Sequence, residues 1–80
     1  MPHYFLDYQD SFHDLVDVDG RELDNDEHAA TAARSMLAGR ACLEILRGAD
    51  AVISVRVRRG PTPLFSVTLA ITEDRFHLNG

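Results

Sequence analysis

The chain opens on a regular alternation. Over residues 3–8, Tyr4, Leu6 and Tyr8 fall on one side of an extended backbone and His3, Phe5 and Asp7 on the other, the period of a strand with one buried face. Gln9-Asp10-Ser11 is rich in turn formers, and residues 12–18 read as a second, less regular strand closed by Asp19-Gly20. Together they predict a hairpin over about 3–18. Its register stays open, because Phe12, Val16 and Val18 share a parity while Leu15 sits on the opposite one.

The period then changes from two to that of a helix. Asp24-Asn25-Asp26-Glu27 is a helix start, with Asp24 placed to accept from first-turn N–H groups and Glu27 three residues later as in a capping box. The acidic side chains also suit the positive end of the helix dipole. Residues 28–47 are rich in alanine and leucine, contain no proline and carry one internal glycine, Gly39, which weakens a helix by about 1 kcal/mol relative to alanine. Ala29, Ala32, Ala33, Met36, Leu37 and Leu43 recur near helical spacing as the buried stripe, and Gly48 supplies the left-handed position that ends many helices. The expected helix spans about 25–47.

A second alternation follows. Ala51, Ile53, Val55 and Val57 face the core, and Val52, Ser54, Arg56 and Arg58 face away. Gly60-Pro61-Thr62-Pro63 makes a turn, and the chain returns with Phe65, Val67, Leu69 and Ile71 inside and Ser66, Thr68 and Thr72 outside, completing a hairpin over about 51–72. Residues 73–80 form a frayed tail that Phe76 and Leu78 can anchor. Strand, strand, helix, strand, strand predicts an α+β domain of two layers, a ββαββ fold with one long helix on one face of a four-stranded antiparallel sheet. The other face lacks cover, which makes Phe5, Ser54, Arg56, Arg58, Ser66 and Thr68 the candidate interaction surface, with His3 and Asp7 at one side.

Length limits this to one domain over residues 1–80 with a thin core. With 45% hydrophobic and 26% charged residues it belongs with folded domains rather than disordered chains. At this size a single core rarely supplies more than about 3–5 kcal/mol, so burial against a second copy is a natural source of stability, and a homodimer is expected. The one cysteine, Cys42, permits no intrachain disulfide and reads as a small core residue of a protein in a reducing compartment. No stretch approaches the roughly 18 apolar residues of a membrane span, so a cytoplasmic location without membrane contact is expected.

Charge is unevenly placed. Residues 1–27 hold nine acidic side chains against Arg21, whereas seven arginines face four acids in the remainder; the two parts, −8 and +3, make the net −5. Two neighbouring hairpins of opposite charge steadying each other account for this more simply than an acidic surface for a basic partner. Nucleic-acid binding through Arg56, Arg58, Arg59 and Arg75 around Phe5 is disfavoured by the acidic total and the absence of lysine.

Catalytic patterns are missing. His3, His13, His28 and His77 are dispersed without a His-x-x-x-His or Glu-x-x-His pair, and a calcium loop aligned on Gly20 would place Leu15 where its first carboxylate belongs. Ser11, Ser35, Ser54 and Ser66 lie outside any Gly-x-Ser-x-Gly turn, and no phosphate loop is present, so neither catalytic residues nor a metal or other cofactor are expected. Pro2, exposed as an N-terminal amine if Met1 were removed, offers a general base of the tautomerase kind. A whole acidic hairpin separates the first strand from the helix, however, and no arginine precedes Arg34 in that helix.

Met1-Pro2-His3-Tyr4-Phe5-Leu6-Asp7, then Asp19-Gly20-Arg21-Glu22-Leu23, then an alanine-rich helix through Ala29, Ala33 and Arg34 and two strands, resemble a family of short bacterial domains of unknown function, mainly alphaproteobacterial. Its members open Met-Pro-Arg-Tyr-Phe-Phe-Asp and continue Asp-x-x-Gly-x-Glu-Leu. His3 stands for the usual arginine and Leu6 for a phenylalanine, and the resemblance implies no activity. A fainter, topological similarity is to HicB-type antitoxins, whose Phe-Pro-Asp-Leu-Pro-Gly stretch is absent here. The expectation is a non-enzymatic interaction or regulatory module that binds itself or another protein through the open sheet face or a strand edge. The alternatives are an antitoxin-like or nucleic-acid-associated regulator, and a small enzyme with an N-terminal proline base.

Overall fold

The computed structural model describes residues 1–48 and 50–76. Strand β1 (His3–Gln9) is followed by two short strands, β2 (Asp14–Leu15) and β3 (Arg21–Glu22), then helix α1 (Asp26–Arg47) and the long strands β4 (Ala51–Arg59) and β5 (Thr62–Ile71). The antiparallel sheet runs β2-β1-β4-β5, with β3 also on the outer side of β1. Leu6 lies opposite Val57 and Tyr8 opposite Val55; beyond them Val55 lies opposite Val67. The two alternations therefore meet in phase, so every apolar row points to the same side.

That side carries α1. Tyr4, Leu6, Tyr8, Ile53, Val55 and Val57 are all but sealed from water beneath Ala29, Ala33, Leu37 and Ala41. The small alanines let the helix lie close to the large strand side chains. Burial of this kind contributes about 1.5–3 kcal/mol for each valine, leucine or isoleucine. The helix begins one residue later than the acidic run predicts. Asn25, with extended backbone, is the cap, its side-chain oxygen accepting the His28 N–H at 2.9 Å. Asp24 instead lies 3.2 Å from the His28 ring. The helix ends as expected at Gly48, whose φ of 71° turns its N–H onto the Ile45 carbonyl.

Four expectations are corrected. The second strand is broken: a continuous strand over 12–18 is replaced by β2 and β3, which pair with opposite ends of β1 while residues 16–20 bulge between them. Leu15, opposite Tyr8, takes the helix-side parity, whereas Phe12, Val16 and Val18 are 83%, 62% and 82% exposed. Leu43 is exposed and Glu44 takes the buried position, because the helix turns its 37–41–44 stripe inward; Cys42 points outward with Leu43. Phe76 anchors nothing, being 88% exposed; Leu78 and His77 lie outside the described residues.

Candidate functional site

All six candidate surface residues lie on the sheet face opposite α1, but they do not share one environment. Across the strands Phe5 pairs with Arg58, Asp7 with Arg56, Gln9 with Ser54, Ser54 with Thr68, and Arg56 with Ser66. Arg58 is occupied internally. Its Nε donates to Asp7 Oδ2 at 2.8 Å, its Nη2 to the Asp17 carbonyl at 2.8 Å, its Nη1 to the Gly60 carbonyl at 2.8 Å, and its guanidinium stacks 4.5 Å from the Phe5 ring centroid. His3 packs edge-on against the other part of Phe5, with 5.1 Å between ring centroids. Phe5 and Arg58 thus form a closed stack rather than a free platform for bases, which removes the aromatic half of a nucleic-acid surface.

The stack belongs to a clasp that replaces the missing strand. Where β2 and β3 part, the Leu6 N–H has no backbone carbonyl opposite it, and Asp17 Oδ2 accepts it at 3.1 Å. Asp17 Oδ1 takes the N–H groups of Gly20 at 2.9 Å and Asp19 at 3.2 Å, and the Asp17 N–H returns a bond to Asp7 Oδ1 at 2.9 Å. Gly20 adopts φ 68°, and a Cβ there would stand 2.8 Å from the Tyr4 carbonyl. Burial pushes the Asp17 carboxyl pKa up, yet the Gly20, Leu6 and Asp19 N–H groups outweigh it and hold the value below the usual one. Asp7 follows the same balance: burial raises its pKa, and Arg58 together with the Asp17 N–H brings it below normal. Both carboxylates are ionised and filled with donors, so neither is free to act as a base or a metal ligand.

A second carboxylate fastens the hairpin tip. Asp10 accepts the Tyr8 hydroxyl at 2.7 Å and the Phe12 and His13 N–H groups at 2.7 Å each. The Tyr8 hydroxyl, those N–H groups and the His13 ring hold its pKa far below the carboxylate range against the opposing effect of burial. Arg40 of α1 lies 4.5 Å above the Tyr8 ring and 3.9 Å from Asp10. These are fold-locking contacts, each tying a turn to the core.

What remains open is the middle of the face. Asp7, Gln9, Asp14, Val16, Ser54, Arg56 and Ser66 line a shallow concavity of about 260 Å³. Arg56, one of its lining residues, stands exposed, and both oxygens of its cross-strand neighbour Asp7 already hold donors. Ser54 and Ser66 add hydroxyls to the same lining, and Thr68 lies opposite Ser54 on the same face. This arrangement can accept a carboxylate or a main-chain carbonyl; it offers no nucleophile paired with a base. Among the described residues no group of three or more His, Cys, Asp or Glu side chains is placed to hold a metal ion, and no helix is long and apolar enough to cross a membrane. The Pro2 carbonyl accepts the Leu23 N–H at 3.1 Å, which ties the start of the chain to the strand edge.

Parity placed the six residues correctly, but it missed Asp17 and the occupation of Arg58. The signal for Asp17 was an aspartate three residues before a glycine, a spacing at which one carboxylate reaches successive turn N–H groups. The Asp7–Arg58 pair joins residues 51 apart in sequence, which no local pattern discloses.

The family model described as Domain of unknown function (DUF6894) matches residues 3–70, from the first residue of β1 to the penultimate residue of β5. No curated protein and no solved structure matches the chain. The chain belongs to the DUF6894 family.

Proposed function

We propose that this DUF6894 domain is a non-enzymatic interaction module that binds itself or another protein through its open sheet face or a strand edge. The observation that supports this reading is the one-sided construction of the sheet. The helix covers one face, and on the other Arg56 stands exposed among Ser54, Ser66 and Thr68 with no described residue laid over it. An exposed guanidinium beside hydroxyls and a shallow concavity suits a peptide carboxylate or carbonyl. A regulatory module needs such a surface and no reactive group. Nucleic acid fits less well, because the chain carries −5 overall and Phe5 is enclosed by Arg58 and His3.

The test is to measure binding, of self by solution mass and of other proteins by affinity capture, for the unaltered domain and for Arg56→Glu. The variant keeps the core and the Asp7–Arg58 clasp. Association that falls at least about tenfold in the variant supports the face. Association with no dependence on Arg56 or on any exposed strand moves the site off the sheet and defeats the reading.

A further inference from the structure

We infer that β5 is a self-pairing edge: two copies of this chain join their β5 strands antiparallel about a two-fold axis at Thr68, fusing two sheets into one. The inference rests on the module reading above and names both the edge and the partner.

The two edges of the sheet are built differently. On the β1 side, β2 and β3 have two residues each. They are separated by the bulge at 16–20 and carry Asp14, Asp17, Asp19 and Glu22. Short strands, a bulge and charge are the features that stop further strands from adding. On the other side, β5 is the longest strand, with ten residues, and β4 is its only partner among the described strands. Pro61 just before it, Pro63 within it and the register shift at Val57/Arg58 all lie at its first end. Residues 64–71 contain no charge, no proline and no glycine, and at about 3.4 Å per residue they present about 27 Å of backbone edge without a second partner among the described strands. Leu64 and Leu69, on this stretch, are exposed.

A second copy fits this edge better than a different protein. In a two-fold antiparallel pairing the residue on the axis meets its own copy and the others meet residues placed symmetrically about it, so a charge at or beside the axis would crowd a like charge. The strand has none, and it offers no charge by which a foreign strand could be selected. Placing the axis at Thr68 keeps parity, so both helices lie on one side of the joined sheet. Phe65 of one copy then lies opposite Ile71 of the other, and Val67 opposite Leu69, extending the helix-side apolar row across the junction. Ser66 opposes Ala70 on the open face. Both outer edges of the joined sheet are the blocked β2/β3 edge, so assembly stops at two copies instead of growing into a fibre.

The test is solution mass by light scattering from about 1 μM to about 1 mM, since a contact one strand wide belongs with small interfaces. It is combined with backbone amide exchange in 64–71. The expected result is a rise from 8.9 kDa toward about 18 kDa with concentration, and slower exchange at alternate β5 amides in the dimer. Thr68→Lys is expected to weaken pairing at least about tenfold with an unchanged circular dichroism spectrum, and mixing Thr68→Lys with Thr68→Asp to restore it. A dimer that keeps monomer exchange rates in β5 and is split by Arg56→Glu overturns the edge pairing while upholding the module reading. A monomer at every concentration that captures another protein in an Arg56-dependent way does the same. A monomer that captures nothing overturns both.

Discussion

Replacing Gly20 with alanine tests the clasp that stands in for the second strand. Two penalties combine at this position. The backbone sits at φ 68°, a left-handed conformation that costs an L side chain about 1–2 kcal/mol. The new Cβ would also lie 2.6 Å from His3 Nε2 and 2.8 Å from the Tyr4 carbonyl oxygen. The imidazole can swing aside, but only by giving up its 2.8 Å bond to the Asp19 carbonyl, worth about 0.5–1.5 kcal/mol. The Tyr4 carbonyl cannot swing, because Tyr4 is held in β1 by its pairing with Arg21 and by a ring that is 1% exposed. The expected loss is about 2–4 kcal/mol, the size of the whole stability an 80-residue core supplies.

Gly60→Ala supplies the control. Its φ is 57°, yet nothing lies within 4 Å of an added Cβ, so only the conformational cost of about 1–2 kcal/mol applies. Urea unfolding followed at 222 nm, with the slope constrained to a common value, reads the difference between the two variants. His3→Ala in the Gly20→Ala background is expected to recover the imidazole part and leave the carbonyl clash. If Gly20→Ala costs no more than Gly60→Ala, residues 16–20 are not clasped against β1 and the account of the broken edge is refuted.

Asp17→Ala is expected to cost about 2–3 kcal/mol in the same urea assay, since it strips the partner from the part-buried Leu6 N–H as well as from two turn N–H groups. Gly39→Ala, on the exposed side of α1 with nothing within 4 Å, is expected to raise thermal stability by about 0.5–1 kcal/mol. Asn25→Ala is expected to cost about 1 kcal/mol, and Asp24→Ala clearly less, because Asn25 holds the cap. Asp7, Asp10 and Asp17 all have folded-state pKa values below the unfolded 3.8. Their contribution is therefore fully present above that value and lost as pH falls through the folded values; urea midpoints are expected to be flat from pH 7 to about 5 and to drop steeply below about 4.

The legible part of this fold is the part governed by a single period. In β1, β4 and β5 each residue either faces the helix or does not, and reading parity alone puts Tyr4, Leu6, Tyr8, Ile53, Val55 and Val57 in the core where they are found. The helix is equally open to reading. Its exact turn is less so: alanines carry weak directional information, which is how Leu43 came to be assigned the position Glu44 occupies. The stretch 12–18 misleads for a different reason. Phe12, Val16 and Val18 resemble a buried row, but β1 is satisfied on that side by a side chain, Asp17, and once a carboxylate replaces the strand backbone the alternation no longer has a ladder to hold it.

The uneven charge is answered in part within the fold. Asp7 and Asp10 belong to the acidic first third of the chain and Arg40 and Arg58 to the basic remainder, yet β1 lies beside β4 and beneath α1, so Asp7 meets Arg58 at 2.8 Å and Asp10 meets Arg40 at 3.9 Å. Opposite charges far apart in sequence face each other across these two seams, and the partly buried Asp7–Arg58 pair is fixed by several bonds at once, unlike an ordinary exposed ion pair. Part of the negative charge of the N-terminal segment, that of Asp7 and Asp10, is therefore internal wiring. On the open face Arg56 is left exposed beside Asp14, and β5 has no second partner among the described strands. A search for partners should begin at those two places, because Asp7 and Asp10 have already found their partners within the chain.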